Sequence, residues 1–175
     1  MNKINPIRLS ENNLKLIPET VSIPEYKRSE VTTGIVHVGV GNFFRAHEAF
    51  YTEQLLDRGE KDWGICGICL LEQDLKMYNT LVGQDGLYSL IVREPDGNLK
   101  VSAIGSIVEY LYAPADPGTV ISKMADPGVK IISLTITEGG YNYDPSTGQF
   151  LFSEPDIQWD LQHPEHPKTI FGYLT

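Results

Sequence analysis

Short apolar runs alternate with periodic segments along this chain, which predicts strands separated by helices. Residues 34–40 are almost entirely apolar and rich in β-branched side chains, residues 63–71 form a second apolar run, and residues 129–136 form a third run that is mostly apolar. Such runs are expected of strands that are covered on both faces of a parallel sheet. Residues 42–58 carry apolar side chains at helical spacing and are followed by Gly59, a common residue at helix ends. The first half of the chain therefore predicts a βαβ unit.

The middle of the chain departs from this alternation. A short helix is predicted over residues 74–82. Strands over residues 87–92 and 99–104 flank the Asp-Gly pair at positions 96–97, which is a strong turn signal. A further strand is expected over residues 106–112. We expect this whole block to be an antiparallel excursion from the parallel sheet.

The C-terminal part returns to the α/β pattern. Residues 115–125 predict a helix that leads into the third buried strand. Residues 142–167 are rich in Pro, Asp and Gly and predict a loop or surface extension. Residues 168–175 predict the beginning of another helix.

These segments together predict an α/β fold with a Rossmann-like, mostly parallel sheet and an inserted antiparallel hairpin. Residues 31–175 are expected to form this domain. Residues 1–30 are polar, contain three prolines and are expected to form an N-terminal arm with a short helix near residues 11–16. No internal repeat is visible.

Composition and charge narrow the function classes. The 175 residues, 41% apolar and 21% charged, are typical of one globular domain. A net charge of −9 argues against a nucleic-acid partner, because a phosphate backbone requires a basic surface. A local group of backbone N–H donors can still bind a small anion. No apolar stretch is long enough for a bilayer, so we expect no membrane partner and a cytoplasmic location.

The strongest functional signal is Gly39-Val40-Gly41, directly after the first predicted strand. These residues match the first two positions of G-x-G-x-x-G, in which glycines let a pyrophosphate approach the backbone at a helix N-terminus. Phe44 occupies the third position and predicts either a shifted helix or a side chain turned elsewhere. A tight turn without a ligand is the alternative, but the strand–loop–helix context favours dinucleotide binding.

A dinucleotide site also needs a carboxylate after the second strand to bind ribose hydroxyls. Asp57 has a typical spacing from the glycines but falls on the predicted helix, whereas Glu72 and Asp74 follow the strand directly. We choose Asp74, whose charge would repel a 2′-phosphate and therefore favours NAD over NADP. A helix N-cap is the alternative role of Asp74, and both roles can hold together.

Other reactive side chains have simpler interpretations. Cys66 and Cys69 lie three positions apart in a predicted strand, so they face opposite sides and neither a disulfide nor a metal site is expected. His37 lies within the first strand and is expected to be buried and hydrogen-bonded. Arg45 follows the glycines and is expected to help form the site. Glu138 follows the third strand and is expected either to serve a proton path or to anchor its loop.

Longer stretches of the chain resemble the mannitol dehydrogenase family of polyol-specific long-chain dehydrogenases, which also includes fructuronate and tagaturonate reductases. The resemblance is carried by residues 34–47, 63–70, 84–88, 104–108, 132–141, 155–158 and 167–172. Asn42 and Phe44 depart from the commonest family form, which has a glycine or alanine and a histidine at these positions. These two departures concern the choice of subfamily rather than the family.

The resemblance implies a Rossmann domain whose complete enzyme moves a hydride, without a metal, between a nicotinamide and a small polyol or ketose. D-mannitol + NAD = D-fructose + NADH is the expected reaction, and reduction of a hexuronate is the alternative. The family's catalytic lysine, asparagine and histidine lie beyond the position of Thr175. We therefore expect the incomplete N-terminal part of a larger two-domain enzyme, without a catalytic residue and inactive alone. A non-catalytic nucleotide-binding module is the alternative from another class.

The resemblance also assigns cofactor-binding residues. The family's glycine-rich segment, its cofactor-selecting acid and its nicotinamide-side loop map onto three parts of this chain. The expected NAD-binding residues are Val38, Gly39, Val40, Gly41, Asn42, Phe43, Phe44, Arg45, Asp74, Thr137 and Glu138.

Overall fold

Two sheets and six α-helices make up the computed structural model, which describes residues 7–175. The strands are β1 (Val21–Ser22), β2 (Thr33–Val38), β3 (Gly64–Cys69), β4 (Tyr88–Arg93), β5 (Leu99–Ile104), β6 (Ile107–Tyr112) and β7 (Ile131–Leu134). The helices are α1 (Asn42–Ala46), α2 (Glu48–Asp57), α3 (Leu75–Val82), α4 (Pro117–Met124), α5 (Pro155–Gln162) and α6 (Ile170–Leu174). Short 3₁₀ turns occupy Glu11–Leu16, Arg28–Glu30, Glu72–Asp74 and Glu138–Tyr141.

The main sheet has the strand order β6-β3-β2-β7, and all of its neighbours are parallel. The chain runs outward from β2 through β3 to β6, and then returns through α4 to β7 on the other side of β2. The strand order thus reverses between β2 and β7. In open α/β sheets, ligands bind in the crevice at the carboxyl ends of the strands at such a reversal. The Rossmann-like α/β prediction is confirmed.

The two faces of β2 pack against different helices, because successive side chains of a strand point to opposite sides. Ile35 belongs to a buried cluster with Phe44 of α1 and Ala49 of α2. Val36 and Val38 belong to a second cluster that contains residues of α4 and α6. Covering both faces explains why the strand is apolar from Ile35 to Val38 apart from His37.

The smaller sheet has the order β1-β5-β4, with β4 and β5 antiparallel and β1 parallel to β5. The inserted hairpin predicted around the Asp-Gly turn is therefore confirmed. Residues 7–30 contact the rest of the chain through β1 and through buried Arg28. The Arg28 guanidinium donates to the carbonyls of Gly105 (2.9 Å) and Ile107 (3.1 Å). The division into an arm over 1–30 and a domain over 31–175 stays a prediction.

Three details differ from the sequence-based expectations. The expected helix over residues 42–58 is divided at His47, whose φ of −122° and ψ of −82° are not helical. The expectation that residues 106–112 belong to the antiparallel excursion was wrong, since β6 pairs parallel to β3 in the main sheet. The segment 142–167 is not all loop, because it contains α5.

The unexpected pairing of β6 with β3 has a physical reason. Apolar periodicity reports which face of an element is buried, but it does not report which strand pairs with it. No helix within residues 7–175 is long and apolar enough to cross a membrane.

Candidate functional site

A cleft of about 670 Å³ opens at the carboxyl ends of β2 and β7, where the strand order reverses. This volume is within the usual range of small-molecule sites. The loop after β2 (residues 39–41) and the segment after β7 (residues 135–137) form two of its walls. The third wall is formed by residues around the end of β3, including Leu71 and Asp74.

Gly39 and Gly41 are required for different reasons. Gly39 has a φ of +97°, and a Cβ there would lie 2.8 Å from the Thr135 carbonyl oxygen. Only glycine fits this position without moving the backbone. A Cβ at Gly41 would meet nothing nearer than the Gly39 carbonyl oxygen at 4.0 Å. The backbone at Gly41 is thus uncrowded by the chain and faces a cleft that a ligand can enter.

Hydrogen bonds close the glycine loop into a tight turn. The N–H of Gly41 donates to the Gly39 carbonyl at 2.7 Å. The Thr135 hydroxyl donates to the same carbonyl at 2.9 Å, which connects the loop to the strand on the other side of the cleft. The first bond shapes the loop itself, and the Thr135 bond connects the walls after β2 and β7.

Arg45 holds the glycine loop from the side of α1. Its guanidinium donates to the Val40 carbonyl at 2.6 Å and to the Asn42 side chain at 2.5 Å. The Arg45 carbonyl in turn accepts from the Tyr88 hydroxyl at 2.6 Å. Both Arg45 and Asn42 line the cleft. The guanidinium therefore stabilises the loop and places a positive charge beside the cleft.

The two phenylalanines of the motif do not line the cleft. Phe44 is fully buried and stacks on the His37 ring, with centroids 3.7 Å apart and planes 6° apart. Of the two alternatives for the third motif position, the structure therefore shows the side chain turned away into the core. Phe43 is 68% exposed and stacks on His47 at 4.3 Å. Neither side chain therefore contributes to the lining of the cleft.

Asp74 lies at the end of the third wall. Its Oδ2 accepts from the Leu71 N–H at 3.0 Å, and its own N–H donates to the Leu71 carbonyl at 2.9 Å. Asp74 is the N-cap residue of α3, but its side chain accepts no hydrogen bond from that helix. The side chain thus fixes the turn after β3 and lines the cleft.

The segment after β7 brings Thr137 to the cleft, where it precedes the 3₁₀ turn Glu138–Tyr141. The Gly140 N–H donates to the Thr137 carbonyl at 2.8 Å and closes this turn. The side chain of Glu138 lies outside the part of the chain that the structure describes. Its expected role stays a prediction.

A fourth wall comes from the C-terminal segment and was missed by sequence reasoning. Its cleft-lining residues are Glu154, Asp156, Lys168, Thr169 and Ile170.

Buried Asp160 of α5 holds the C-terminal wall in place. Its carboxylate accepts from the N–H groups of Lys168 (2.7 Å) and Thr169 (3.0 Å) and from the Thr169 hydroxyl (2.6 Å). The pattern of apolar residues along a sequence does not indicate that a single aspartate is buried, so Asp160 could not be predicted in this way. The sequence signal that could have found this wall is Thr169, which caps α6 by accepting from the Gly172 N–H.

Charges in the cleft nearly cancel. Two cations, Arg45 and Lys168, lie on its walls together with three carboxylates, those of Asp74, Glu154 and Asp156. An anion bound here would therefore depend on backbone N–H donors more than on net charge.

Cys69 lines the cleft and Cys66 does not, but neither thiol is suited to chemistry there. Both are buried in β3, and they belong to clusters on opposite faces of the sheet, as predicted. Burial raises the pKa of the Cys66 thiol well above its usual range and raises that of Cys69 to about 12. Thiols with such pKa values are protonated at neutral pH and unreactive as nucleophiles.

Comparison with known proteins gives a consistent family. Residues 33–175 match the family model described as the mannitol dehydrogenase Rossmann domain. Over 168 residues the chain is 45% identical to a polyol:NADP oxidoreductase of Gluconobacter oxydans, covering 95% of this chain and 34% of that protein. Over 177 residues it is 46% identical to a mannitol 2-dehydrogenase of Aspergillus oryzae, covering 97% of this chain and 35% of that protein.

Among solved structures, the chain is similar to Pseudomonas fluorescens mannitol 2-dehydrogenase in a ternary complex with NAD and D-mannitol. The TM-score is 0.92 at 43% identity, and the match covers 96% of this chain and 34% of that one. The chain thus spans about a third of the length of the relatives that it matches.

Proposed function

Because the chain belongs to the mannitol dehydrogenase family, we propose that it is the cofactor-binding part of an NAD-dependent polyol dehydrogenase. The proposed reaction of the whole enzyme is D-mannitol + NAD = D-fructose + NADH, without a metal. The observation that carries the proposal is the cleft at the strand-order reversal, with a glycine loop on one wall and a carboxylate on another. The names of the relatives refer to polyols, which gives the hexuronate alternative no support.

The pyrophosphate would lie against the glycine loop. The open space at Gly41 allows close approach to the backbone, and the first turn of α1 has N–H groups without partners inside the helix. The contributions of Phe43 and Phe44 would then come from their backbone alone. Val38, Val40, Asn42 and Arg45 would shape and hold this part of the site.

Asp74 would select the cofactor. One of its oxygens bonds to the Leu71 N–H, and the other would accept from a ribose hydroxyl. A 2′-phosphate at this place would meet the carboxylate charge, so we propose NAD rather than NADP. The relative from Gluconobacter oxydans is named for NADP, which makes this preference a property to be tested at Asp74.

The nicotinamide would lie towards Thr137 and Glu138 on the wall after β7. When bound, the nicotinamide supplies the hydride acceptor, and the residues of this chain would orient it and limit its access to water.

We propose that residues 1–30 form an arm and residues 31–175 a partial Rossmann domain, with the catalytic residues on a further helical domain. The outer edge strand β7 has exposed Ile131 (46%) and Ile132 (37%), which supports a further packed element there.

Amide-resolved NMR titration tests this function because it detects weak binding. With NADH, we expect saturable shifts at the amides of Gly39, Gly41 and Asp74, and a weaker response to NADPH. Asp74→Ala should weaken NADH binding and reduce the difference between the two cofactors. Asp96→Ala, an exposed carboxylate in the β4–β5 turn, is the matched control. Shifts that avoid the cleft, or an unchanged preference in Asp74→Ala, would contradict the proposal.

A further inference from the structure

A buried polar network lies directly behind the glycine loop and is not used by the proposed function. Its centre is His37 of β2, which is completely buried. The His37 Nδ1 lies 2.8 Å from the Ser133 hydroxyl and 3.1 Å from Oε2 of Glu48. Its Nε2 lies 2.9 Å from the Thr135 hydroxyl, which bonds to the Gly39 carbonyl. The network therefore connects α2 to the loop.

The proton positions on the loop side follow from the chemistry of the atoms. The Gly39 carbonyl can only accept, so the hydrogen of the Thr135 hydroxyl must point towards it. The Thr135 oxygen then accepts a hydrogen bond, and the donor facing it is His37 Nε2. Nε2 therefore carries a proton.

The other end of the imidazole fixes its orientation. The Ser133 hydroxyl donates to Oε1 of Glu48 at 2.8 Å, so the His37 Nδ1 faces a hydroxyl whose hydrogen is already used and a carboxylate oxygen. These contacts are satisfied when one proton lies between Nδ1 and Glu48. Burial raises the pKa of Glu48, but the hydrogen bonds from His37 and Ser133 lower it by more than burial raises it. The pKa of Glu48 therefore lies below its usual value. The stacked Phe44 ring covers the imidazole and excludes water.

We propose that His37 is a positioning residue for the cofactor loop, which forces the Thr135 hydroxyl to donate to the Gly39 carbonyl. This carbonyl also accepts from the Gly41 N–H at 2.7 Å. The hydroxyl keeps the carbonyl bonded when the Gly41 N–H turns towards a phosphate oxygen, so the loop binds without leaving an unpaired acceptor. The cofactor part of this inference rests on the proposed function, whereas the loop part does not.

Two pairs of variants separate the hydrogen bonds from the packing. Thr135→Val removes the hydroxyl at nearly constant size, and Thr135→Ser keeps it. A glutamine amide reaches the place of Nε2, so His37→Gln keeps a donor for Thr135. An asparagine amide reaches only the place of Nδ1, so His37→Asn leaves Thr135 without its donor. The measurements are the amide shifts of residues 39–41 without ligand, the affinity for NADH, and the urea midpoint of unfolding.

We expect Thr135→Val and His37→Asn to move the loop amide resonances and to weaken NADH binding about fivefold, as for one lost hydrogen bond. Thr135→Ser and His37→Gln should recover most of the affinity. The double variant Thr135→Val/His37→Asn should bind no more weakly than either single variant, because both break the same connection.

Loop amides that stay in place in Thr135→Val would overturn the positioning role, even if the protein loses stability. Moved loop amides with unchanged NADH affinity would overturn its role in binding. If the unsubstituted chain shows no response to NADH, the proposed function fails, and the loop amides alone then decide the positioning role. The Thr135 pair keeps the test valid if a His37 variant does not fold.

Discussion

The Glu53 carboxylate accepts a hydrogen bond from the Gly105 N–H at 2.7 Å, although only 5% of Glu53 is exposed. The Tyr26 hydroxyl donates to the same oxygen at 3.0 Å. Within residues 7–175, the second oxygen, Oε1, has no hydrogen-bond partner. Burial raises the pKa of Glu53 from 4.5 to about 7, despite the hydrogen bonds from Gly105 and Tyr26, which lower it.

This pKa makes the free energy of unfolding depend on pH. The folded protein binds the Glu53 proton more tightly than the unfolded chain does, so the stabilisation is complete below pH 4.5 and is lost as the pH rises through 7. We expect a loss of roughly 3 kcal/mol from this group. In urea titrations between pH 5 and 8, Glu53→Gln should show a flatter dependence than the unsubstituted chain. Glu60→Gln, at an exposed carboxylate, should keep the original slope.

Gly39→Ala should damage the glycine loop in two ways. The φ of +97° is strained for alanine, and the new Cβ would lie 2.8 Å from the Thr135 carbonyl oxygen. Gly97→Ala is the matched control, because its φ is +86° and a Cβ there meets no atom within 4 Å. We expect about 1 to 2 kcal/mol of destabilisation in the control and more in Gly39→Ala. Only Gly39→Ala should weaken NADH binding. If Gly39→Ala and Gly97→Ala changed the stability and the NADH affinity equally, the role of Gly39 in the cofactor loop would be contradicted.

Arg45→Ala removes the two hydrogen bonds that hold the Val40 carbonyl and the Asn42 side chain. We expect about a tenfold loss of NADH affinity, measured by titration, because both bonds are charge-assisted. Arg45→Lys should recover only part of it, since one ammonium group does not reproduce a planar fork of donors. Arg58→Ala, at the exposed end of α2, should leave the affinity unchanged. Full recovery by lysine would show that only the charge matters.

Asp160→Ala should destabilise the C-terminal wall of the cleft. Three donors from Lys168 and Thr169 lose their acceptor, which we expect to cost about 3 kcal/mol in the free energy of unfolding. Asp156→Ala on the same helix breaks only the exposed ion pair with Lys168 at 3.5 Å. That control should change stability by about 0.5 kcal/mol or less. Similar unfolding midpoints for the two variants would contradict the anchoring role of Asp160.

Local pattern was sufficient for the βαβ unit and for the place of the glycine loop. A run of apolar residues that ends in two glycines constrains its own backbone, and the need for glycine at position 39 appears as a φ of +97°. The opposite faces of Cys66 and Cys69 followed from the period of a strand in the same way. These features depend on neighbouring residues, so the sequence alone contained them.

The sequence by itself thus determined a Rossmann-like unit with a glycine loop and an acid after its second strand. Only the tertiary structure decided that β6 joins β3, that Phe44 turns onto His37, and that Asp160 brings Thr169 to the cleft. Each of these depends on contacts between residues distant in the chain or on single buried polar groups. Apolar periodicity records which face of an element is buried, but it does not specify the partner that buries it.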